Sequence, residues 1–361
     1  MLSQRVASKK NQLRGYNFQR FPITFSNCEG RTLLYPLSLP GTLSMHKLHL
    51  HATNLCLNYC KHCSVKAGPT GQSLLDEADF KYLVDWASEA GAKWLEISGG
   101  EPLTLGNALF ELIAYAHNKS LYVSLLSNGC MIDEQRGKRL RSAGIGRVSI
   151  SLYGATPGTH DDFTQTTGSF SKALTGIHAV TEAGLEVTIN VVVTPKNVDE
   201  LHLLPSRLTG IDLYTFGSVV PSGRGSTLVK YVFSERGYQL AIEKLEYAFS
   251  GITHLFLSSL SQTPSTNLER YCARPRVETT VNHEGYRIPC CLLPRDLQRP
   301  TGNIKNHNFH EYIINDLVYY WLNRGHKALR EHLQYTEVSH NLCKNCISML
   351  DAVTQRQQAI R

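Results

Sequence analysis

The sequence predicts an α/β fold built around a parallel sheet. Between residues 47 and 250, short apolar segments of strand length alternate with longer amphipathic segments of helix length. Three of the amphipathic segments end at Ala-Gly pairs, which are typical of helix ends. The chain has 361 residues, of which 42% are hydrophobic, so it can bury a sizeable core. We therefore expect one large α/β domain with a small appendage.

The predicted elements follow in regular order along the chain. The expected strands are 47–55, 93–97, 121–126, 147–152, 186–193 and 211–216. The expected helices are 76–90, 107–118, 132–142, 170–183, 198–207 and 234–249. Such alternation favours parallel strands joined by right-handed crossovers, in an open sheet or a partial barrel. In either arrangement, functional residues should gather at the carboxyl ends of the strands.

Charge and hydropathy narrow the class of protein. The 37 basic and 30 acidic residues give a formal charge of +7, without a long Lys/Arg block. This mild excess does not call for a nucleic-acid partner. No apolar stretch reaches the ~18 residues of a membrane span, and the basic N-terminus lacks the apolar core of a signal peptide. We expect a cytoplasmic protein that binds neither nucleic acid nor membrane.

Three cysteines lie within eight residues directly after the first predicted strand. They are Cys56, Cys60 and Cys63, with the spacing CxxxCxxC. Iron–sulfur clusters usually take four cysteines, so a set of three leaves one iron open to bind another molecule. The alternative is a zinc site made by Cys60, Cys63 and distant ligands. The third thiol at this spacing favours the cluster.

The CxxxCxxC loop after strand one resembles the signature of the radical S-adenosylmethionine (SAM) superfamily. The resemblance implies a partial (β/α)6 TIM-like barrel, a [4Fe-4S] cluster on Cys56, Cys60 and Cys63, and SAM bound to the open iron. It further implies reductive cleavage of SAM to methionine and a 5′-deoxyadenosyl radical, which abstracts a hydrogen atom from the substrate. An electron donor such as flavodoxin or ferredoxin is implied as a partner.

Further strand ends carry segments that resemble the same family. Residues 98–102 read SGGEP and resemble its GGEP motif, in which Glu101 and the adjacent backbone would hold the methionyl amino group. Residues 127–129 resemble its TNG segment, and His62 stands where an aromatic residue usually lies beside the adenine. The implied cofactor-binding residues are His62, Ser98, Gly99, Gly100, Glu101, Pro102, Ser127, Asn128, Ser151 and Asn190.

A second group of cysteines follows the α/β region. It consists of Cys272, Cys290, Cys343 and Cys346, with a predicted hairpin turn at Glu284-Gly285. Four thiolates suit a structural zinc ion or a cluster. The spacing resembles the SPASM/twitch extension of radical SAM enzymes, which implies one auxiliary [4Fe-4S] cluster for electron transfer. The expected domains are an N-terminal extension (1–45), the barrel (46–265) and a small cluster-binding domain (266–361).

Three other side chains are candidates for catalysis. Tyr153 stands where many relatives carry Asp, and Arg224 lies in a segment that resembles the PxGR of relatives with extra clusters. Arg224 could hold a carboxylate, bridge the two domains or lie in a surface turn. Cys291 is a packed thiol or a hydrogen-atom donor. His49 and His51 share one face of strand one, and we interpret them as core histidines.

The substrate is expected to be a small molecule of specialised metabolism, which the radical would oxidise, epimerise or rearrange. Residues 1–45 look too short and irregular for the winged-helix domain with which many peptide maturases recognise their substrates. The alternative is a maturase that crosslinks or epimerises a ribosomally made peptide. A more remote alternative is a non-catalytic zinc or iron–sulfur protein.

Overall fold

The computed structural model describes residues 46–220, 222–228, 231–250, 255–257, 278–288 and 302–306. The N-terminal extension 1–45 lies outside the described residues. So do the predicted auxiliary-cluster ligands and the candidate next to them, namely Cys272, Cys290, Cys291, Cys343 and Cys346. The domain boundaries and the second cluster site therefore remain predictions.

The strands of the described residues form a single sheet. They are β1 Lys47–Thr53, β2 Trp94–Gly99, β3 Tyr122–Ser127, β4 Arg147–Ser151, β5 Glu186–Val193, β6 Leu213–Ser218, β7 Leu255–Leu257, β8 Glu278–Val281 and β9 Arg287–Ile288. Their order is β7-β6-β5-β4-β3-β2-β1-β8-β9, and only the β8–β9 pair is antiparallel. The predicted α/β class with a parallel sheet is confirmed. Sequential pairing of β1 to β7 is consistent with a partial TIM-like barrel.

The helices connect successive strands, as expected from the crossover rule. They are α1 Glu77–Glu89, α2 Asn107–Asn118, α3 Glu134–Ser142, α4 Pro157–Thr164, α5 Ser169–Glu182, α6 Leu204–Arg207 and α7 Glu235–Ala248. Local signals fix several of their starts. At α1, for example, the Asp76 side chain accepts from Asp79 N at 2.9 Å while Asp79 accepts from Asp76 N at 3.1 Å, which is a capping box. In the described part of the chain, no helix has the length and hydropathy to cross a membrane.

The two faces of β1 differ sharply in chemistry. Leu48, Leu50 and Ala52 are fully buried in the apolar core together with residues of α1 and α2. The alternate residues His49 and His51 are also buried but point to the opposite face. The outer face therefore holds the helices, and the inner face offers polar groups near the carboxyl ends of the strands.

Three details differ from the predicted elements. Helix α4 and strand β7 were not predicted, because eight and three residues are too short to show a clear periodicity. The single helix expected over 198–207 is instead a 3₁₀ turn, Leu201–Leu203, followed by the one-turn α6. Pro205 explains this break, because proline has no N–H and fits only the first turn of a helix.

The predicted hairpin is present, as β8 and β9 with a turn over residues 282–285. Gly285 has a φ of +85° and donates its N–H to Asn282 O at 2.9 Å. β8 also pairs in parallel with β1, from Lys47↔Glu278 to Leu50↔Val281. This hairpin thus extends the main sheet beside the first strand.

Candidate functional site

The three cysteines of the first motif lie on the loop that leaves the carboxyl end of β1. Cys56 is buried, Cys60 and Cys63 are partly exposed, and all three thiols are free. Cys63 N–H donates to Cys60 O at 3.3 Å, and Cys56 N–H donates to Gly68 O at 3.0 Å. We call residues 54–68 the thiol loop. It lies at the edge where functional residues of a parallel α/β sheet gather.

Helix α4 supports the thiol loop from one side. Tyr59 N–H donates to Thr164 O, and Lys61 N–H donates to Phe163 O, both at 3.0 Å. Both acceptors lie in the last turn of α4, where helix carbonyls lack intrahelical partners. The helix end and the loop therefore satisfy each other's backbone groups.

Arg224 holds the same loop from the other side. Its guanidinium donates to Cys60 O at 2.7 Å and to Ala67 O at 2.8 Å, and its backbone N–H donates to Cys63 O at 3.0 Å. The guanidinium also lies over the Tyr59 ring, 4.0 Å from its centroid. The planar fork of arginine suits such a two-carbonyl contact. In this structure the side chain of Arg224 braces the thiol loop.

The paired glycines bring the end of β2 against the thiol loop. Gly100 N–H donates to Thr53 O at 2.7 Å, and Glu101 N–H donates to Leu55 O at 2.8 Å. A Cβ atom on Gly100 would lie only 2.2 Å from Leu55 O, so no side chain fits there. Glycine is required for this close approach of two backbones.

The Glu101 carboxylate is fully buried and links the ends of β2 and β3. It accepts hydrogen bonds from Asn128 N at 2.8 Å, Ser127 Oγ at 2.9 Å and Leu103 N at 3.2 Å. Burial raises the pKa of Glu101 to about 7, while these hydrogen bonds oppose the rise. The carboxylate is thus engaged within the protein, and its contact with a methionyl amino group remains a prediction.

The sulfurs of two cysteines receive contacts from N–H donors. Ala67 N–H donates to Cys63 Sγ at 3.3 Å, and Asn128 Nδ2 lies 3.6 Å from Cys56 Sγ. Donors of this kind support metal-bound thiolates and tune the metal they hold. Asn128 therefore links the β3 end to the thiol loop.

The remaining predicted cofactor residues lie along the inner edge of the strands. Ser98 Oγ and His49 Nε2 are 2.5 Å apart, and Pro102 begins the 3₁₀ turn after the glycines. Ser151 and Asn190 are direct register partners on β4 and β5. Thr215 on β6 donates to the Asn190 side-chain oxygen. Ser151 and Asn190 are thus neighbours at the carboxyl ends of two adjacent strands.

His62 belongs to an aromatic cluster beneath the thiol loop. Its ring stacks on Phe163, with centroids 4.9 Å apart, and meets the Tyr153 ring edge-on at 4.7 Å. Burial lowers the pKa of His62 to about 4, and the nearby Arg224 charge adds to the effect. The imidazole is therefore neutral. Within the described residues its Nδ1 atom is buried without a hydrogen-bond partner.

Burial also raises the pKa values of two of the thiols. It raises the pKa of Cys56 to about 11 and that of Cys60 further, with the neighbouring thiols adding to both shifts. Cys56 and Cys60 are therefore protonated at neutral pH in the metal-free protein, and a metal has to displace their protons.

The donor set fits an iron–sulfur cluster. Near the thiols, among the residues that the structure describes, the side-chain oxygens of Asn54 and Asn58 are buried and unpartnered. Across that same part of the chain, no group of three or more His, Cys, Asp or Glu side chains is arranged to hold a single metal ion. In a [4Fe-4S] cluster each thiolate binds its own iron, so the ligands need not surround one point.

The sequence did not predict the elements that hold the site residues in place, namely helix α4 and the side chains of Asn197 and Glu200. Helix α4 carried one usable signal, since Thr156 and Pro157 form the N-cap and first-turn pair that opens many helices. Asn197 and Glu200 carried none. Asn197 Nδ2 donates to Tyr153 O at 3.0 Å, and Glu200 accepts from Ala155 N at 2.6 Å. Both fix the chain that leaves β4.

Comparison with known families finds one match. Residues 50–204 match the model of the Radical SAM superfamily. The AdoMet-dependent heme synthase of Nitratidesulfovibrio vulgaris is 28% identical over 81% of this chain and 85% of its own length. The antilisterial bacteriocin subtilosin biosynthesis protein AlbA of Bacillus subtilis is 24% identical over 78% of this chain and 60% of its own length.

Solved structures share the fold. Streptococcus suis SuiB bound to precursor peptide SuiA superposes with a TM-score of 0.58 at 14% sequence identity. The match covers 79% of this chain and 72% of SuiB. At that identity the likeness concerns the fold alone.

Proposed function

We propose that Cys56, Cys60 and Cys63 hold the [4Fe-4S] cluster of a radical SAM enzyme, since residues 50–204 match the Radical SAM superfamily model. The observation that carries this assignment is the thiol loop itself. Its three cysteines follow β1 at the carboxyl edge of a parallel sheet, beside Gly99 at the end of β2 and Gly100 directly after it. Three protein ligands leave one iron open for SAM.

Several residues of the protein hold the thiol loop and donate hydrogen bonds to its cysteines. When bound and reduced, such a cluster supplies the electron that splits SAM, and the radical so formed takes a hydrogen atom from the substrate. Ala67 N–H and the Asn128 amide are placed to donate to thiolates. Arg224 donates to two carbonyls of the loop, and Gly100 lets the backbone after β2 lie directly against Leu55 of the loop.

SAM is expected to lie along the strand ends. We expect Ser151 and Asn190, which are register partners on β4 and β5, to hydrogen bond its polar groups. Backbone groups around Gly100 and Glu101 would face its methionyl end. We further propose that Cys272, Cys290, Cys343 and Cys346 hold an auxiliary [4Fe-4S] cluster. A low-potential carrier such as flavodoxin or ferredoxin would provide the electron.

We infer that the substrate is a peptide. Two relatives support this inference through their names, since AlbA acts in subtilosin biosynthesis and SuiB was solved with the precursor peptide SuiA. The small-molecule substrate expected from the sequence is the second candidate. It is supported by the heme synthase of N. vulgaris, which matches 81% of this chain.

The decisive experiment is anaerobic reconstitution with iron and sulfide, followed by an assay for 5′-deoxyadenosine under dithionite. With two clusters, the wild type should bind about eight iron atoms. Cys56→Ala/Cys60→Ala/Cys63→Ala should keep about four and release no 5′-deoxyadenosine. Cys130→Ala, which removes another free thiol of the site, should behave as wild type. Zinc in place of iron, or no SAM cleavage by wild type, would overturn the proposal.

The substrate class can be tested with the same assay. A true hydrogen donor raises the yield of 5′-deoxyadenosine above the background without substrate. We expect a library of unstructured synthetic peptides to raise it and an iron porphyrin to leave it unchanged. The reverse result would favour the small-molecule candidate.

A further inference from the structure

One side of the thiol loop borders an open pocket of about 420 Å³. The loop forms one wall, and the turn Gly223–Thr227 after β6 forms the other. Gln165, directly after α4, closes one side. We call this space the Arg224 pocket, because the Arg224 side chain crosses it to reach two carbonyls of the loop. Within the described part of the chain, none of the predicted SAM contacts lines it.

The Arg224 pocket is positively charged. It is lined by Lys61, Lys66 and Arg224 and, among the residues that the structure describes, by no acidic side chain. Asp162 lies 2.7 Å from Lys61 Nζ and neutralises that charge. Arg224 donates to carbonyl oxygens, and the exposed Lys66 ammonium has no ion pair in the described residues. Two cations therefore face the pocket without a carboxylate partner.

The backbone at Lys66 adopts a conformation that favours glycine. Its φ is +53°, and its N–H donates to Cys63 O at 3.3 Å. A side chain in this left-handed region costs free energy relative to glycine. Unusual backbone conformations of this kind are concentrated at functional sites and ligand-binding loops. Since no ion pair in the described residues accounts for the lysine, its cation is available to bind another molecule.

Large apolar side chains of the thiol loop are exposed beside these charges. Tyr59, which lines the pocket and lies under the Arg224 guanidinium, is 54% exposed, and Leu57 two residues earlier is 55% exposed. Aromatic residues and arginine are enriched in protein interfaces. An exposed surface that combines them with unpaired cations is complementary to a protein with an acidic face.

The pocket is also directly connected to two of the expected cluster ligands. Arg224 donates from its guanidinium to Cys60 O at 2.7 Å and from its backbone N–H to Cys63 O at 3.0 Å. A partner that contacts Arg224 is therefore one side chain away from the backbone of both cysteines. Because the rate of electron transfer falls steeply with distance, this side of the loop suits the entry of an electron. Binding here leaves the predicted SAM contacts free.

We propose that the Arg224 pocket, together with the exposed Leu57 and Tyr59, docks the acidic face of a low-potential redox protein that passes one electron to the cluster on the thiol loop. This inference rests on the proposed function and adds the place and the charge of the carrier's contact. The carrier loses one electron, the cluster gains it, and no bond forms between the two proteins. Electron-transfer complexes bury little surface, and complementary charges speed their formation.

The test compares two electron sources in the 5′-deoxyadenosine assay. A reduced flavodoxin of net negative charge has to dock, whereas dithionite is a small reductant that does not. For each variant, the rate with limiting flavodoxin is divided by the rate with saturating dithionite, so that a partial loss of cluster cancels. Lys66→Glu should lower this ratio about tenfold at an ionic strength of about 0.01 M. The difference from wild type should disappear at about 1 M, where charges are screened within a few ångströms.

Two further variants and a control separate charge from loop structure. Lys66→Gly removes the cation and suits the left-handed backbone, so it should lower the ratio less than Lys66→Glu. Ser226→Glu places a negative charge on the opposite wall, outside the thiol loop, and should lower it as well. Lys93→Glu is the matched control. It makes the same change of charge at an exposed position before β2, at the opposite edge of the sheet, and should leave the ratio unchanged.

The outcomes distinguish this inference from the proposed function. An unchanged ratio for both Lys66→Glu and Ser226→Glu at low ionic strength would overturn the docking site, and so would an equal decrease for Lys93→Glu. The docking site would also be overturned, in favour of a peptide site, if these variants kept the ratio but no longer responded to acidic peptides. No 5′-deoxyadenosine from wild type with either reductant would instead show that the proposed function fails.

Discussion

Glu101 shows how one side chain can organise a site. Its carboxylate accepts hydrogen bonds from the β3 end and from the 3₁₀ turn that it precedes, while being fully buried. Burial disfavours the ionised form, and the donors favour it. The balance leaves the pKa at about 7, so the protonation of this residue changes near neutral pH.

The pH dependence of stability should reveal this group. Above its ordinary pKa of 4.5, an unfolded Glu101 has lost its proton, whereas the folded protein keeps it up to about pH 7. The proton therefore stabilises the folded state fully below pH 4.5, and this stabilisation is lost as pH rises towards 7. Relative to Glu101→Gln, wild type should lose up to about 1.4 kcal/mol of unfolding free energy per pH unit in this window. Urea unfolding of both proteins at pH 5, 6, 7 and 8 measures this loss. If the unfolding free energies of wild type and Glu101→Gln changed equally with pH, the raised pKa of Glu101 would be contradicted.

At the scale of elements, the thiol loop depends on two neighbours distant in sequence. The last turn of α4 accepts its backbone N–H groups, and the turn that holds Arg224 follows β6. The glycine of that turn, Gly223, has a φ of +59°, and a Cβ there would lie 2.3 Å from Ser64 O. The contacts of the loop with α4 and with the Arg224 turn therefore form only when the strands have assembled into the sheet, since neither partner is close to the loop in sequence.

Arg224→Gln should weaken the loop without removing a cysteine. The variant loses the charged hydrogen bonds to Cys60 O and Ala67 O, contacts that are typically about 1.5–3 kcal/mol each. We expect reconstituted protein to lose iron to a chelator several-fold faster than wild type, as followed by absorbance. Arg224→Lys should fall between them, because lysine has no planar fork. Arg207→Gln, at an exposed position of α6, serves as the control. Equal rates for Arg224→Gln and wild type would refute this role.

For the molecule as a whole, buried charges join the start of the sheet to its late strands. Lys47 on β1 lies 2.7 Å from Glu96 on β2 and 3.2 Å from Glu278 on β8, and His49 Nδ1 lies 3.2 Å from Glu278. Positions 49 and 278 are 229 residues apart. His49 and His51 are buried, as the sequence predicts, but His49 is part of an ionic and polar network.

Removing one member of this network should destabilise the fold. Glu278→Ala leaves Lys47 and His49 buried with fewer anionic neighbours. Breaking a buried ion pair costs about 3–5 kcal/mol, and we expect the lower end because Glu96 still faces Lys47. Urea unfolding measures the loss. Glu134→Ala, in the exposed pair with Lys138, should show no measurable change. If both substitutions changed the unfolding free energy equally, the buried network would stabilise the fold no more than an exposed ion pair.

The sequence predicted the succession of strands and helices along the chain, because the periods of 2 and 3.6 residues arise from local geometry. It also placed Cys56, Cys60 and Cys63 after β1 and Gly99-Gly100 at the end of β2, since parallel strands bring their carboxyl ends to one edge. The short helix α4 and the break in the helix before β6 were not predicted, because segments of three to eight residues show little periodicity.

The contacts of the individual site residues could not be predicted from the sequence. Arg224 lies 164 residues from Cys60, and nothing in either segment specifies that its guanidinium binds that carbonyl rather than a carboxylate. Likewise, the Glu101 carboxylate accepts hydrogen bonds from Ser127 and Asn128, and the Tyr153 ring contacts His62 of the thiol loop. Burial and competition among neighbouring groups set these partners, and both arise only when distant segments pack together.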